Sequence, residues 1–527
     1  MKKIFLIVAG LSLGVAVTSC SLEKFPETMY AENNTSGTGD AETAINTREL
    51  LEGQLTAMYN YMKGDLQTYW YQLITLAESR ADNAYGAANE AKTMAVEQNQ
   101  IDSDSEFASN LWNYSMNAVD YANQVICNID IVKENDPSLT EKEYQEWLSE
   151  ALCWRAYVWM NMMQLFGEIP MLTEIPPAIN AGNVEEVYPL YFPARVSKQT
   201  VGEQIVKDIE EYACLYAPDT DASNKFRITK GFAYGLMARF YSMREFRDWS
   251  KVITACQAVE GMGYGLCDSY GDLWAYTTGD TGMAAMNTRE SIFEVQRTYT
   301  PGGLAVTTNV AAITTPYHNG KGIYDGVEIP EMGTGMTTWT SMRPNSYFCD
   351  GLQTKKSSDK RKTLNMAWEY DGKPFSGVGT RPWLGPKFWC PGMQNTADFS
   401  NQKVFRYADA ILMMAECYAE TENPDEAVRY LNMVRERAGT TAYVFKNNDA
   451  LLEEIQRERG RELLGEFQRK FDLVRWGIWY QMTYEYTNYP TLKDNMLPCH
   501  EYYPIPDKEV VYSGGALDNK AYNEYGM

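Results

Sequence analysis

The sequence is poor in histidine and in basic residues. Its 527 residues include two histidines, His318 and His500, and 47 lysines and arginines against 70 acidic residues, for a net charge of −23. Zinc sites are built from closely spaced histidines and cysteine pairs, and neither pattern is present. Nucleic acids and anionic membrane surfaces bind basic patches. We therefore expect no metal, no cofactor and no nucleic-acid partner.

Cysteine pairs are also missing. The chain has ten cysteines, nine of them after residue 20, and no Cys-x-x-Cys spacing. An odd number of cysteines, most of them inside helical apolar patterns, is unlike a disulfide framework. These residues are predicted to be buried free thiols.

Catalytic signatures are scarce. There is no Gly-x-Ser-x-Gly motif, and the glycines at 261, 263 and 265 follow a helical pattern rather than a strand. Asp102, Asp104 and Glu106 alternate like calcium ligands but lack the glycine and the closing glutamate of such loops. An acidic chain can contain a carboxylate pair at glycosidase spacing by chance. We expect no catalytic residues and no enzymatic activity.

The N-terminus carries a targeting signal. Lys2 and Lys3 precede an apolar stretch from residue 4 to residue 17, too short to span a bilayer as a helix. The segment ends Val-Thr-Ser-Cys, which resembles the lipobox of an acylated protein. We predict a signal peptide over 1–19, lipidation of Cys20 and a tether over 20–45. The alternative is a soluble secreted protein in which Cys20 is incidental.

Residues 46–260 form the N-terminal helical region. Apolar residues recur there at helical spacing, in segments that pair across short turns, which is typical of tetratricopeptide-like repeats. Thr200 and Glu203 have the spacing of a capping box. The stretch from Glu150 to Leu172 is apolar on nearly every face, so it is predicted to be a buried helix ending at Gly167. Its Arg155 should pair with a carboxylate on a neighbouring helix, because an unpaired buried guanidinium is costly.

The composition changes at residue 261. Residues 261–400 hold 19 of the 38 glycines and five of the 13 tryptophans, with little periodicity. Glycine-punctuated aromatic sequence indicates elaborated loops and short strands, which are suited to binding a ligand or a partner. Helical periodicity returns over 401–527, where residues 455–476 have the pattern of one long helix. Glu466–Arg469 and Asp472–Arg475 are spaced for ion pairs along it.

Four stretches of the sequence resemble one known family. These are EALCWRAYVWMNMMQLFGEIPML from residue 150, FRYADAILMMAECYAE from residue 405, ERGRELLGEFQRKFDLVRWG from residue 458 and YPIP from residue 503. In this order they are similar to the signatures of the SusD-like (RagB/SusD) outer-membrane nutrient-binding lipoproteins. The resemblance implies a mostly α fold in which tetratricopeptide-like helix pairs support a loop-rich face with minor β structure.

The same resemblance implies a location and a partner. The protein would be lipid-anchored to the outer membrane, would face the cell surface and would deliver an oligosaccharide to a SusC-like TonB-dependent β-barrel transporter. A peptide ligand is the first alternative, and a surface glycoside hydrolase is the second.

Ligand residues in this family have no fixed motif, so they are chosen here by composition. Sugars offer flat apolar faces ringed by hydroxyls, so a site needs aromatic rings together with carboxylates and amides. The candidates are Asp82, Asn83, Tyr85, Trp274, Tyr276, Trp339 and Trp383. For any one of these tryptophans, structural packing is the competing interpretation.

Overall fold

A computed structural model describes residues 45–65, 67–86, 91–101, 105–220, 224–275, 285–300, 305–318, 321–379, 381–518 and 520–525. The helices of the N-terminal part are Arg48–Asn60, Gln67–Glu78, Ala91–Glu97, Glu106–Ile126, Ile129–Asn135, Glu141–Phe166, Val184–Tyr191, Lys198–Ile205, Cys214–Tyr216, Lys230–Ser242 and Trp249–Gly261. The later helices are Val310–Thr314, Lys362–Asn365, Tyr407–Glu420, Pro424–Arg437, Asn448–Glu462, Arg469–Arg475, Trp479–Tyr486, Pro490–Asn495, Asp507–Tyr512 and Lys520–Asn523. Segments of π-helix occur at Tyr61–Asp65, Val206–Ala213 and Tyr347–Leu352.

The helices pack in pairs. Glu106–Ile126 packs against Glu141–Phe166, and Lys230–Ser242 packs against Trp249–Gly261. Helix Tyr407–Glu420 packs against Trp249–Gly261 as well as against its own partner, Pro424–Arg437. The C-terminal helices therefore continue the stack begun by the N-terminal ones. The predicted fold class, a mostly helical protein built from helix pairs, is confirmed.

The buried apolar helix is longer than its sequence pattern suggested. It spans Glu141–Phe166, and it begins at a capping box in which Thr140 and Glu143 satisfy each other's backbone N–H groups. It ends at Gly167, whose φ of 80° is accessible to glycine without strain. Arg155 donates from Nη2 to Asp208 Oδ2 at 2.7 Å, and both side chains are buried. The predicted ion pair across helices is confirmed.

Two local predictions were wrong. Thr200 and Glu203 do not cap a helix, because helix Lys198–Ile205 begins earlier and Ser197 accepts the Thr200 N–H. Residues 455–476 form two helices rather than one, since the chain turns at Gly465 with φ of 71°. As a result Glu466 bonds to Arg406 and Lys387 instead of Arg469. The Asp472–Arg475 pair does form, and it is buried.

The region between the helical parts contains two-stranded antiparallel ribbons. The pairs are Ala84–Gly86 with Met342–Pro344, Ser291–Val295 with Gln402–Arg406, Thr298–Tyr299 with Ala305–Val306, Ile323–Tyr324 with Val327–Glu328, Met366–Ala367 with Trp383–Leu384, and Glu369–Tyr370 with Lys373–Pro374. The first ribbon joins the N-terminal helices to this loop-rich region. The second carries Arg406 to the start of helix Tyr407–Glu420.

A buried network of arginines and carboxylates holds these parts together. Glu462, with 0% exposure, accepts hydrogen bonds from Arg361, Arg406 and Arg437, which come from three different segments. Arg406 also binds Glu290 and Glu466, at 2.6 and 2.7 Å. Burial alone would raise the pKa of the neighbouring Glu458, but Arg361 and Arg461 outweigh burial and lower it to about 2. Glu458 is therefore charged at neutral pH.

The nine cysteines after residue 20 are free, and all except the half-buried Cys127 are buried. Within the described part of the chain, none of the helices combines the length and the apolar character that a bilayer crossing needs.

Replacing Arg406 by methionine should strongly destabilise the protein, because Glu290, Glu462 and Glu466 would then be buried with too little positive charge. We expect a loss of about 3–5 kcal/mol in the free energy of unfolding, measured by urea denaturation. Arg289→Met is the matched control, since Arg289 makes an equally short but exposed ion pair with Asp268. The control should cost less than about 1 kcal/mol. Equal losses in the two variants would contradict the role given to burial.

Candidate functional site

The predicted site residues after helix Gln67–Glu78 lie at the junction between the N- and C-terminal parts. Asp82 is fully buried and makes a bidentate pair with Arg469, at 2.5 and 2.6 Å. Asn83 is buried as well, and its Nδ2 donates to Gly460 O at 3.2 Å. These two side chains are directed towards the C-terminal helices, so they position the segment that follows them.

Tyr85 lies on strand Ala84–Gly86, opposite Arg343 of strand Met342–Pro344. Its ring has 6% exposure and contacts the ring of Tyr489, with centroids 5.9 Å apart. The Arg381 guanidinium lies over the same ring at 5.3 Å. Tyr85 is thus surrounded by aromatic and cationic groups.

Two of the predicted tryptophans lie close to this ribbon. The Trp383 ring is covered by the Arg343 guanidinium, 3.9 Å from the ring centroid, and its Nε1 donates to Asp325 at 2.7 Å. Trp383 is therefore buried under an arginine. Trp339 is half-buried, three residues before the strand that pairs with Tyr85, and its ring contacts Tyr71 edge-on at 5.7 Å.

Trp274 belongs to a different neighbourhood. It is buried in a small apolar cluster with Cys267, Tyr270 and Leu273. A cavity of about 60 Å³ lies beside it, lined in part by Lys387 and Lys403. Ligand pockets have volumes of roughly 300–1,000 Å³, so this cavity is too small for a sugar. Tyr276 and Cys20 lie outside the described residues.

A group of tyrosines, all but Tyr85 unpredicted, lies in and around helix Trp479–Tyr486 as three ring pairs. We call it the tyrosine surface, and it consists of Tyr85, Tyr347, Tyr480, Tyr484, Tyr486 and Tyr489. Tyr480 and Tyr484 are 42% and 43% exposed, and their rings are nearly parallel, with an interplanar angle of 7° and centroids 6.2 Å apart. The Tyr486 ring packs against the Tyr347 ring, with centroids 4.2 Å apart. Burial raises the pKa of Tyr486 to about 12, so its hydroxyl stays protonated at neutral pH.

Helix Trp479–Tyr486 is fixed to the Tyr85 segment by its buried face. Trp479 Nε1 and Thr483 Oγ1 both donate to Arg80 O, each at 2.8 Å. The Tyr489 hydroxyl donates to Gly86 O at 3.0 Å. With the inner face anchored, the i, i+4 pair Tyr480 and Tyr484 is held towards solvent.

One sequence signal could have revealed this surface. The stretch WYQMTYEYTNY from Trp479 contains four tyrosines, two of them at i, i+4 spacing. It lies in the C-terminal helical region, where no ligand residue was predicted.

A larger cavity, of about 380 Å³, lies between helix Arg48–Asn60 and strand Ser291–Val295. It contains no predicted ligand residue. Its Arg227 is already bonded to the fully buried Glu150, which also accepts from Tyr59. Its polar groups are therefore largely committed to the protein itself. In the described part of the chain, no three His, Cys, Asp or Glu side chains converge as metal ligands would.

Comparisons with known proteins agree with this architecture. A model of the SusD family matches residues 338–522, and a second family model, described as starch-binding and associating with the outer membrane, matches residues 31–242. SusD-like protein P25 from Formosa agariphila is 24% identical over 444 residues, which are 76% of this chain and 77% of that protein.

Solved structures share the fold. A SusD homolog from Bacteroides thetaiotaomicron has a TM-score of 0.72 at 19% identity, over 90% of this chain and 97% of that one. Surface glycan-binding protein A from the same species, solved with laminarihexaose, has a TM-score of 0.69 at 18% identity, over 90% of this chain and all of that one. The two family matches cover most of the sequence, and the helix pairs and ribbons agree with them. The chain therefore belongs to the SusD/RagB family, and the family model that matches its N-terminal part is described as associating with the outer membrane.

Proposed function

We propose that the protein captures an oligosaccharide on the tyrosine surface and does not cleave it. The observation that carries the proposal is the exposed, nearly parallel pair Tyr480 and Tyr484. The apolar face of a pyranose ring packs well on such a ring, and the phenol hydroxyls can bind the sugar hydroxyls around it. Membership of a family with glycan-binding relatives supports the same role.

The predicted residues divide into two roles in this proposal. Trp339 contacts the ligand, because it is half-buried and lies three residues before the strand that pairs with Tyr85, whereas Tyr85 itself is buried beneath Arg381. Asp82, Asn83 and Trp383 position the ribbon. Asp82 is paired with Arg469 and shielded from solvent, so it is poorly suited to act as an acid or a nucleophile. The competing interpretation, structural packing, fits Trp274 best.

The location and the partner are also proposals. Cys20 would carry the lipid that anchors the protein to the outer leaflet of the outer membrane. Anchoring confines the receptor to the same surface as a SusC-like TonB-dependent β-barrel, which raises their effective concentration, so a modest interface suffices for transfer. The order of motifs along the chain supports this arrangement.

Tyr484→Ala should weaken glycan binding, because it removes the exposed end of the stacked pair. Aromatic stacking contributes about 1 kcal/mol, so we expect roughly a fivefold loss of affinity, measured by calorimetry with a ligand selected on a glycan array. Tyr216→Ala is the matched control, since Tyr212 and Tyr216 also form an i, i+4 ring pair, in a helix remote in sequence from this surface. The control should bind like the unaltered protein.

Equal losses in both tyrosine variants, or no loss in Tyr484→Ala, would show that the site lies elsewhere. A peptide array run beside the glycan array tests the other ligand class. If the protein binds peptides and no glycans, the ligand is a peptide and the oligosaccharide proposal is wrong. Shortened glycans in the calorimeter cell would reveal hydrolysis and contradict simple capture.

Cys20→Ala should move the protein from the washed membrane fraction to the soluble fraction without changing its melting temperature. Each buried methylene of an acyl chain contributes about 0.8 kcal/mol to membrane binding, so loss of the lipid removes the anchor. Immunoblots of the fractions measure the change. An altered protein that stays in the membrane fraction after washing would defeat the lipid-anchor proposal.

Extraction of native membranes in mild detergent tests the partner. We expect a TonB-dependent barrel to co-purify with the unaltered protein. Recovery of the receptor alone in several mild detergents would argue against a stable complex.

A further inference from the structure

Most arginines of this acidic chain are paired with carboxylates. Among the described residues, those without a carboxylate within 4.0 Å are Arg80, Arg247, Arg297, Arg343 and Arg381. Arg80 and Arg297 are buried, so three remain within reach of solvent. Two of the three, Arg343 and Arg381, lie side by side at the tyrosine surface.

Arg343 is held by neutral groups. Its Nε donates to Pro382 O at 3.3 Å, and its Nη2 donates to Val378 O at 3.2 Å and to Arg381 O. Backbone carbonyls carry no net charge, so they orient the guanidinium without neutralising it. Burial lowers the pKa of Arg343, yet a guanidinium remains charged under any ordinary condition.

Arg381 makes fewer polar contacts than Arg343. Its half-buried guanidinium lies over the Tyr85 ring, and in the described part of the chain its side-chain nitrogens form no hydrogen bond or ion pair. Both arginines also act on Tyr489, where they oppose the rise in pKa that burial causes. The two cations and the two tyrosines therefore form one cluster.

Neither Asp325 nor Glu97 forms an ion pair with these arginines, although the Asp325 carboxylate acts on Arg343 at longer range and partly offsets the effect of burial on the Arg343 pKa. Asp325 accepts from Trp383 Nε1 at 2.7 Å and from Gly377 N at 2.6 Å, and it makes no ion pair with either arginine. Glu97 is completely buried, and burial raises its pKa to about 8, so it is mostly protonated at neutral pH. A positive site therefore remains within a chain whose net charge is −23.

We infer that the captured oligosaccharide is acidic, and that Arg381, with Arg343 beside it, binds a carboxylate or sulfate group on a sugar stacked against the tyrosine surface. This inference rests on the proposed function and names the ligand class for it. A planar guanidinium offers paired N–H donors that match the oxygens of either anion. The unpaired state of Arg381 is explained if its counter-ion arrives with the ligand.

The test compares sugars that differ only at the anionic group. Oligogalacturonides are measured against the same oligomers after methyl esterification, and sulfated galactan oligomers against their desulfated forms. We expect the unaltered protein to bind one acidic series at least about tenfold more tightly than its neutral counterpart. Raised salt should weaken that preference. The series that shows the preference identifies carboxylate or sulfate as the anion.

Arg381→Gln should bring the ratio of acidic to neutral affinity close to one. Arg247→Gln is the matched control, because Arg247 also lies over an aromatic ring, Trp249, without a carboxylate partner, but outside the tyrosine surface. The control should keep the preference.

Two failures can be told apart. If neutral and acidic sugars bind equally and Tyr484→Ala weakens both, the charge inference is overturned while the proposed function stands. If no sugar of any class binds, or if Tyr484→Ala leaves sugar affinity unchanged, the proposed function is wrong and the inference is wrong with it.

Discussion

The structure depends on one buried constraint, the charge balance around Glu462. Its carboxylate accepts from arginines of the loop-rich region, of strand Gln402–Arg406 and of helix Pro424–Arg437. Exchanging such a network for apolar residues need not cost stability, but removing a single member leaves an uncompensated charge in the interior. The network therefore specifies where each segment must lie. It ties the short ribbons, which would be marginal alone, to the rigid helical stack.

The same C-terminal segment positions the tyrosine surface. Arg469 holds Asp82, and Glu78 accepts the backbone N–H groups of Gly465 and Gln468. Arg80 O receives both anchoring bonds from helix Trp479–Tyr486. The helix that carries the exposed rings is therefore held in place by buried hydrogen bonds. Such preorganisation reduces the entropy lost when a ligand binds.

The sequence predicted the helical architecture better than the site. Apolar periodicity located the helix pairs, and the cost of an unpaired buried charge predicted the Arg155–Asp208 contact. The turn at Gly465 was missed because periodicity continues across it, and Glu466 was then assigned the wrong partner. The site was sought where tryptophan and glycine are dense. Trp274 and Trp383 are buried there, whereas the exposed rings lie on a C-terminal helix whose inner and outer faces composition cannot distinguish. The pairing of Asp82 with Arg469, 387 residues away, is a tertiary fact that local pattern does not encode.

The central claim is that a rigidly mounted tyrosine surface is where this SusD/RagB-family protein holds its glycan. A crystal structure of the protein with a bound acidic oligosaccharide tests it most directly. The account predicts sugar rings stacked on Tyr480 or Tyr484, an acidic group at Arg381, and an unchanged Asp82–Arg469 pair beneath them. Sugar bound instead in the cavity beside helix Arg48–Asn60, with the tyrosine surface empty, would contradict it.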